Sequence, residues 1–168
     1  MSPFNRGSAR VTADVDVSAS AFWALLRDWP AVMQWNPQAA AIGVVKVTLK
    51  AGDDVGVLPC TRVMHLDTSR GLPPTTEEIL LFADTEARRL YYTFTGDVGG
   101  IANYIATTYV DALDGGRARV TCASTFDLPA ARSLSATVKW LEQVYEQQII
   151  RGIEAAILRG EADAASRP

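Results

Sequence analysis

At 168 residues, 48% of them hydrophobic, the chain has the length of one domain and enough apolar material for its own core. Its 16 basic and 19 acidic residues leave a net charge of −3 and form no blocks, which excludes the basic face of a nucleic-acid binder. The opening MSPFNRGSAR lacks the apolar run of a signal peptide, and no stretch is apolar for long enough to span a bilayer, so a cytoplasmic protein without membrane insertion is expected.

Residues 1–8 read as a flexible N-terminus. ARVTADVDV, from Ala9 to Val17, alternates apolar and polar residues and reads as a strand. Ser18 then suits a helix N-cap, and Phe22, Leu25, Leu26 and Trp29 share one face of a helix that Pro30 should end. A second short helix is expected around AVMQW. From Ile42 to Phe126 six β-like stretches follow at meander spacing: IGVVKVTL, VGVLPCTRVMHL, TEEILLFA, RLYYTFTG, IANYIATTYVDAL and RARVTCASTFDL. Between the second and third of these lies SRGLPPT, residues 69–75, longer and more apolar than a reversal requires. It offers Leu72 to solvent between a glycine and two prolines, as a lid would. After Pro129 the chain carries no proline until its last residue and reads as one long helix, with residues 161–168 as a disordered tail. The order implies one α+β domain over residues 9–160. A seven-stranded curved antiparallel sheet would wrap the last helix, with two short helices after the first strand and an internal cavity between helix and sheet.

The residue inventory excludes several chemistries. His65 is the only histidine and the two cysteines, Cys60 and Cys122, are isolated, so neither a zinc site nor a disulfide framework is expected. GDVGGIA opens a strand rather than a helix, which removes a nucleotide-binding reading. His65 alternates away from Arg62, Met64 and Leu66 and is expected on the solvated convex face in a structural role. No cofactor is expected. The informative pattern is polar residues in step with apolar ones on inward faces: Glu78 with Leu80 and Phe82, Tyr92 with Leu90 and Phe94, and Arg62 with Met64 and Leu66. A carboxylate at Glu78 would point into the cavity, with Arg62 its natural partner, since a buried carboxylate is costly unless paired or protonated. On the last helix Leu134, Val138, Leu141, Tyr145 and Ile149 fall on a core-facing arc that also takes in Gln148, with Trp140 and Val144 on one shoulder.

The segment 60–110, with Cys-Thr-Arg, Gly-Leu-Pro, the spacing from Glu78 to Tyr92, and Asn103-Tyr104, resembles the helix-grip superfamily of START, birch-pollen-allergen and polyketide cyclase/dehydrase-like (SRPBCC) proteins. It is most similar to plant abscisic-acid receptors and their bacterial relatives. The resemblance implies that Gly71, Leu72 and Pro73 form a gate loop over bound ligand. It places Glu78, Tyr92, Tyr104 and Ala106 around the pocket, Met64 and Leu66 on its apolar wall, Cys122 where the receptors have a pocket glutamate with Ser124 facing the same way, and Trp140, Val144 and Gln148 on ligand-contacting helix positions. The receptors' latch is replaced by Gly99-Gly100-Ile101, and their pocket lysine has no clean counterpart, Lys46 requiring a shift of alignment.

Two functions follow as expectations. The first is a cofactor-free cyclase, dehydratase or lyase acting on a hydrophobic, oxygenated, polyketide- or aromatic-like molecule, with Glu78, Arg62, Tyr92 and Tyr104 as catalytic residues and Phe94 among those contacting ligand. A desolvated Glu78 could exchange a proton near neutrality, whereas tight pairing with Arg62 would hold it ionised and favour binding alone. The alternative is a non-catalytic receptor or carrier. A third, structural reading makes Arg62 and Glu78 an ion pair inside a mostly filled barrel. An exposed Leu72 among prolines would also offer a patch for a homodimer.

Overall fold

The computed structural model describes residues 3–95 and 100–165, with side chains described through Gly160. Its seven strands are β1 (Phe4–Val15), β2 (Val44–Leu49), β3 (Cys60–Leu66), β4 (Thr75–Asp84), β5 (Arg89–Thr95), β6 (Ala102–Leu113) and β7 (Arg117–Pro129). They form one antiparallel sheet in the order β1-β7-β6-β5-β4-β3-β2, so β1 and β2 are the two edges. Between them in sequence lie α1 (Ala19–Arg27), a 3₁₀ turn at Trp29–Ala31, α2 (Val32–Trp35) and α3 (Gln38–Ala41). The C-terminal helix runs as α4 (Leu134–Gln143), a π-helical segment (Val144–Ile150) and α5 (Arg151–Ala165). This is the helix-grip arrangement expected: a curved sheet and, against its concave face, one long helix.

Local chemistry explains the boundaries. Ser18 caps α1 by accepting from the Ala21 amide at 3.2 Å, and Ser133 caps α4 by accepting from Ala136 at 3.3 Å. The chain leaves α1 after Arg27, two residues earlier than its apolar spacing predicts. Trp29 is nonetheless buried, placed as the first residue of the 3₁₀ turn Trp29–Ala31, which Pro30 favours, instead of by the helix. Residues 4–8, expected to be flexible, are strand: Phe4 to Ser8 pair with Pro129 to Thr125. Their alternation is hidden because Gly7 takes an inward position where a Cβ would stand 2.6 Å from the Phe126 ring and 2.7 Å from Leu134. β3 begins at Cys60 rather than Val55, after a turn that carries Leu58 and Pro59. At the other end α5 continues to Ala165, beyond the Gly160 at which the sequence suggests a stop.

The long helix departs from a simple period of 3.6. Through Gly160 its buried residues are Leu141, Tyr145, Ile150 and Ile153, and the five-residue step from 145 to 150 spans the π-helical segment. The extra residue turns Ile150 into the core where Ile149 was expected, leaving Ile149 half-buried. Gly152 follows, and a Cβ there would stand 2.5 Å from the Trp35 carbonyl oxygen. Only glycine permits that approach of the helix to α2.

Candidate functional site

Cross-strand register fixes which residues meet inside the curve of the sheet. Arg62 lies opposite Glu78, Glu78 opposite Phe94, Leu80 opposite Tyr92, Tyr92 opposite Ala106, Ala106 opposite Ser124 and Thr108 opposite Cys122. Directly opposed residues share a face, so these expected site residues form one inward-facing band. Phe82 is not part of it. A β-bulge between Leu80 and Phe82 adds a residue to β4, which turns Phe82 out to pair with Tyr91, their rings 5.3 Å apart, and brings Ala83 in.

Within the band Arg62 is fully engaged. Its Nε donates to Glu78 Oε2 at 2.6 Å, and its second terminal nitrogen bridges the same oxygen. Its Nη1 donates to the Trp29 carbonyl at 3.0 Å, and its guanidinium lies 3.7 Å from the centre of the Trp29 ring. The side chains of Arg62 and Glu78 are 8% and 16% exposed, so the pair is largely withdrawn from water. A guanidinium anchored on three sides is a fixed positive charge, and the carboxylate is held as its partner.

Beside it runs a chain of hydroxyls. Tyr145, on the π-helical segment, donates to Ser124 Oγ at 2.6 Å, and the Tyr104 hydroxyl lies 2.7 Å from that of Tyr145. Tyr145 has spent its only proton on Ser124, so Tyr104 is the donor of that second bond. Tyr104 also stacks on Phe94 at 4.5 Å and stands 6.1 Å from the Tyr92 ring, which in turn packs on Trp29 at 5.4 Å. Burial pushes the Tyr92 and Tyr104 phenols well above their ordinary range and Tyr145 up to about 12, so all three stay protonated and act as donors. Cys122, pushed up to about 12 by burial, receives a 3.8 Å contact from the Thr108 hydroxyl and is a protonated, packed thiol. It fills its place in the core.

The concave face is not closed to the same extent everywhere. Val47, Met64, Leu66, Thr76 and Phe94, which point inward from β2 to β5, are only half-buried. On the other side Val110, Val120, Phe126 and Leu128 are sealed. Above the open half Gln148 accepts from Asn36 at 3.2 Å, and it joins Trp140 and Val144 in lining a cleft of about 350 Å³ together with Gln38, Gln143 and Gln147. The three helix positions expected to touch ligand thus come together in one cleft. Trp140, however, is 47% exposed and walls the outer side of that cleft instead of reaching the phenols. Its position on the shoulder of the helical arc already points outward.

Residues 69–75 are tied down rather than projecting. The Asp67 carboxylate accepts from the Ser69 amide at 3.0 Å and from its hydroxyl at 2.6 Å; these bonds hold Asp67 below the usual carboxylate range. Gly71 takes the left-handed φ of 73° that ends the short 3₁₀ turn Thr68–Arg70. Arg70 donates to the Ala41 carbonyl at 2.9 Å, and Leu72 lies against Gly43, close enough that a Cβ there would meet its Cδ1 at 2.5 Å. Leu72 is therefore half-buried, not offered to solvent, and Pro73 and Pro74 form the exposed tip. The apolar patch on which a homodimer was expected is correspondingly smaller. Lys46 is exposed on the edge strand and supplies no interior charge, whereas His65 bonds Thr48 across β2 and β3 at 2.9 Å. Of the latch segment, Ile101 is buried and Gly99 lies outside the described residues. Among the described residues no cluster of metal-ligating side chains occurs, and no helix is long and apolar enough to cross a membrane.

Two participants escaped sequence reading, Tyr145 and Trp29. Tyr145 reads as a core position, yet a buried phenol needs a partner, and that need was the available signal. Trp29 holds Arg62 partly through its backbone carbonyl, which leaves no trace in side-chain spacing.

A family model described as polyketide cyclase / dehydrase and lipid transport matches residues 6–155. The chain belongs to this family. No curated protein matches it. Among solved structures, this polyketide cyclase/dehydrase-family chain is similar to norcoclaurine synthase from Thalictrum flavum bound to a transition-state analogue, with a TM-score of 0.71 at 13% identity over 96% of this chain and 99% of that one. XoxI from Bacillus cereus is similar at a TM-score of 0.71 and 16% identity, covering 92% and 98% of the two chains. A Thermobifida fusca protein solved by NMR is similar at 0.66 and 24%, covering 88% and 90%. These likenesses establish the SRPBCC, birch-pollen-allergen-like fold, and family membership supports hydrophobic ligand binding in general terms.

Proposed function

We propose that this protein binds a hydrophobic, oxygenated small molecule against the half-open concave face of β2 to β5. The observation that carries the reading is the inward row Val47, Met64, Leu66 and Phe94, apolar yet only half-buried, with fixed polar groups at its inner end. Apolar surface left uncovered on an inward face gains about 25 cal/mol per Å² when a ligand covers it. The Arg62–Glu78 pair and the Tyr92 and Tyr104 hydroxyls then orient the oxygenated end of the molecule. No cofactor is required, since these donors and acceptors belong to the chain itself. Gly71, Leu72 and Pro73 act as the gate, Ala106 and Ser124 form the floor, and Trp140, Val144 and Gln148 line the approach from the helix. Both cysteines are free and buried, in keeping with a cytoplasmic setting.

Binding is the better-supported activity because the groups that would act as base are committed: Glu78 to Arg62, and the phenols as protonated donors. Catalysis as a cyclase, dehydratase or lyase is favoured by a different observation, the series Tyr104, Tyr145, Ser124, whose protons run toward Ser124, so that one given up by the Ser124 hydroxyl is replaced from Tyr145 and in turn from Tyr104. Norcoclaurine synthase, of the same fold, has been solved with dopamine and hydroxybenzaldehyde, a pair of oxygenated aromatics of the size and polarity this reading requires.

The test is native mass spectrometry of the protein incubated with an organic extract of the cells that make it, followed over time and repeated with Glu78→Gln and Tyr104→Phe. A compound bound unchanged by the wild type, and bound more weakly by the variants, is the expected result. A compound consumed by the wild type and spared by Tyr104→Phe establishes the enzyme instead. If no compound is retained, the reading fails.

A further inference from the structure

We infer that the cleft between α1, the β2–β3 connection and the β4–β5 hairpin is a second binding site, for a small organic oxyanion. Its volume is about 560 Å³, within the range of small-molecule sites, and it takes Trp23, Arg27 and Asp28 from the α1 side, Val55 from the connection, and Thr85 and Arg88 from the hairpin. The β4–β5 hairpin lies at the opposite end of β4 from residues 69–75, ten residues or about 33 Å of strand away. None of the cleft residues belongs to the interior band.

The chemistry of the lining is donor-rich. Two guanidiniums face one carboxylate, and among the described residues neither Arg27 nor Arg88 is in an ion pair. Arg27 Nη1 donates to Thr85 Oγ1 at 3.3 Å, which joins the two walls and leaves the rest of its fork uncommitted. Trp23 is 3% exposed, and its indole N–H, which can only donate, has no partner. That nitrogen is sealed from the solvent of the cleft, as Trp35 Nε1 and Asn36 Oδ1 are sealed elsewhere, so Trp23 serves as a wall and reporter of the cleft and the arginines supply its donors. Of the hairpin's acidic groups, Asp84 is engaged by the Ala87 amide at 2.9 Å and Glu86 is exposed. Arg88 holds a φ of 49° as the last residue of the hairpin turn 85–88, and that turn carries its side chain into the cleft wall. A planar carboxylate or a phosphate matches a guanidinium fork by paired hydrogen bonds, and the apolar surface of Ala24 and Val55 suits an organic body attached to it.

The test is an NMR titration of the full-length ¹⁵N-labelled protein with benzoate, following the Trp23 indole signal, assigned by its loss in Trp23→Phe. Benzamide serves as the neutral control and inorganic phosphate as the bare oxyanion. The expected result is a saturable shift with benzoate, little with benzamide, and affinity about tenfold weaker in Arg27→Gln and in Arg88→Gln. Asp28→Asn should tighten binding severalfold, and Tyr104→Phe should leave it unchanged because the interior band is separate. A shift with phosphate as well as benzoate supports recognition of the oxyanion alone. No shift at tens of millimolar, equal shifts with benzamide, or affinity indifferent to both arginines would overturn the proposal. Circular dichroism of each variant, unchanged from the wild type, ensures that lost binding is not lost folding.

Discussion

On β6 and β7 the inward Val110, Val120, Phe126 and Leu128 are each at most 1% exposed, and Gly7 of β1 admits the Phe126 ring, although Val11 and Ala13 of β1 are only partly buried. On β2 to β5 the inward face is mixed: Val44, Leu80, Leu90 and Tyr92 are buried, whereas Val47, Met64, Leu66 and Phe94 are half-covered. The difference comes from what packs above. α4 lies on β1, and α1 lies on β6 and β7, whereas above the other half come the short α2 and α3 and the loop of residues 69–75. A long helix seals what it covers, and short pieces leave gaps. The row of half-covered residues is the apolar surface to which the proposed function assigns a ligand.

The sharpest way to break that division is to truncate the same residue type in each half. Phe126→Ala should cost about 3–5 kcal/mol, the ordinary loss for a fully buried phenylalanine, and Phe94→Ala about 1–2 kcal/mol, both read from denaturant unfolding. Equal losses would mean that the open half is packed as tightly as the closed one. Next in size is the ion pair within the open half, between β3 and β4. Arg62→Met strands Glu78 without its partner and should cost about 3 kcal/mol, most of which Arg62→Met with Glu78→Leu recovers, because replacing both charges removes the unpaired one. Failure of the double variant to recover would show that the guanidinium's contacts with Trp29 matter more than its charge pairing.

The phenols give a pH-dependent counterpart. Tyr145 ionises at about 12 in the folded chain against an ordinary value of 10.0, so the unfolded chain loses that proton first as pH rises. The stabilisation is whole below pH 10 and is lost between 10 and about 12, by about 2–3 kcal/mol for Tyr145, with Tyr92 and Tyr104 adding loss of the same sign. Unfolding followed from pH 9 to 12 should show this slope, and Tyr145→Phe should flatten it. A slope unchanged in that variant would place the alkaline sensitivity elsewhere.

The sealed half and the open half differed in how well sequence revealed them. Alternation along ARVTADVDV and RARVTCASTFDL, and Ser18 before the first helix, carry enough to place strands, that cap and the order of the sheet. The band of Arg62, Glu78, Tyr92 and Ala106 was legible because it keeps a strict period of two through directly opposed residues. What escaped depends on a single inserted residue. The bulge after Leu80 sends Phe82 outward, and the π-helical turn puts Ile150 where Ile149 was due; in both cases the sequence on either side still looks regular. Leu72 escaped for another reason. Its burial rests on Gly43, a contact between segments 29 residues apart, with no local pattern to announce it.

That contact also yields the smallest predicted effect on stability and the most direct one on ligand exchange. Leu72 is half-buried and sits on a loop whose ends are already held by Asp67 and Arg70, so Leu72→Gly should cost under about 1 kcal/mol. If the loop covers the open half when a ligand is present, losing its only large apolar side chain should speed ligand release by several-fold without altering the fold. Release of the hydrophobic dye anilinonaphthalene sulfonate, measured by stopped-flow displacement, reads this off-rate. Ser69→Ala is the companion variant: it removes a hydrogen bond to Asp67 and loosens the loop while leaving Leu72 in place. Faster release in both variants means the loop must be held as well as apolar to retain ligand. Faster release in Leu72→Gly alone assigns the effect to side-chain contact, and release unchanged in both would reduce residues 69–75 to a surface loop packed on α3.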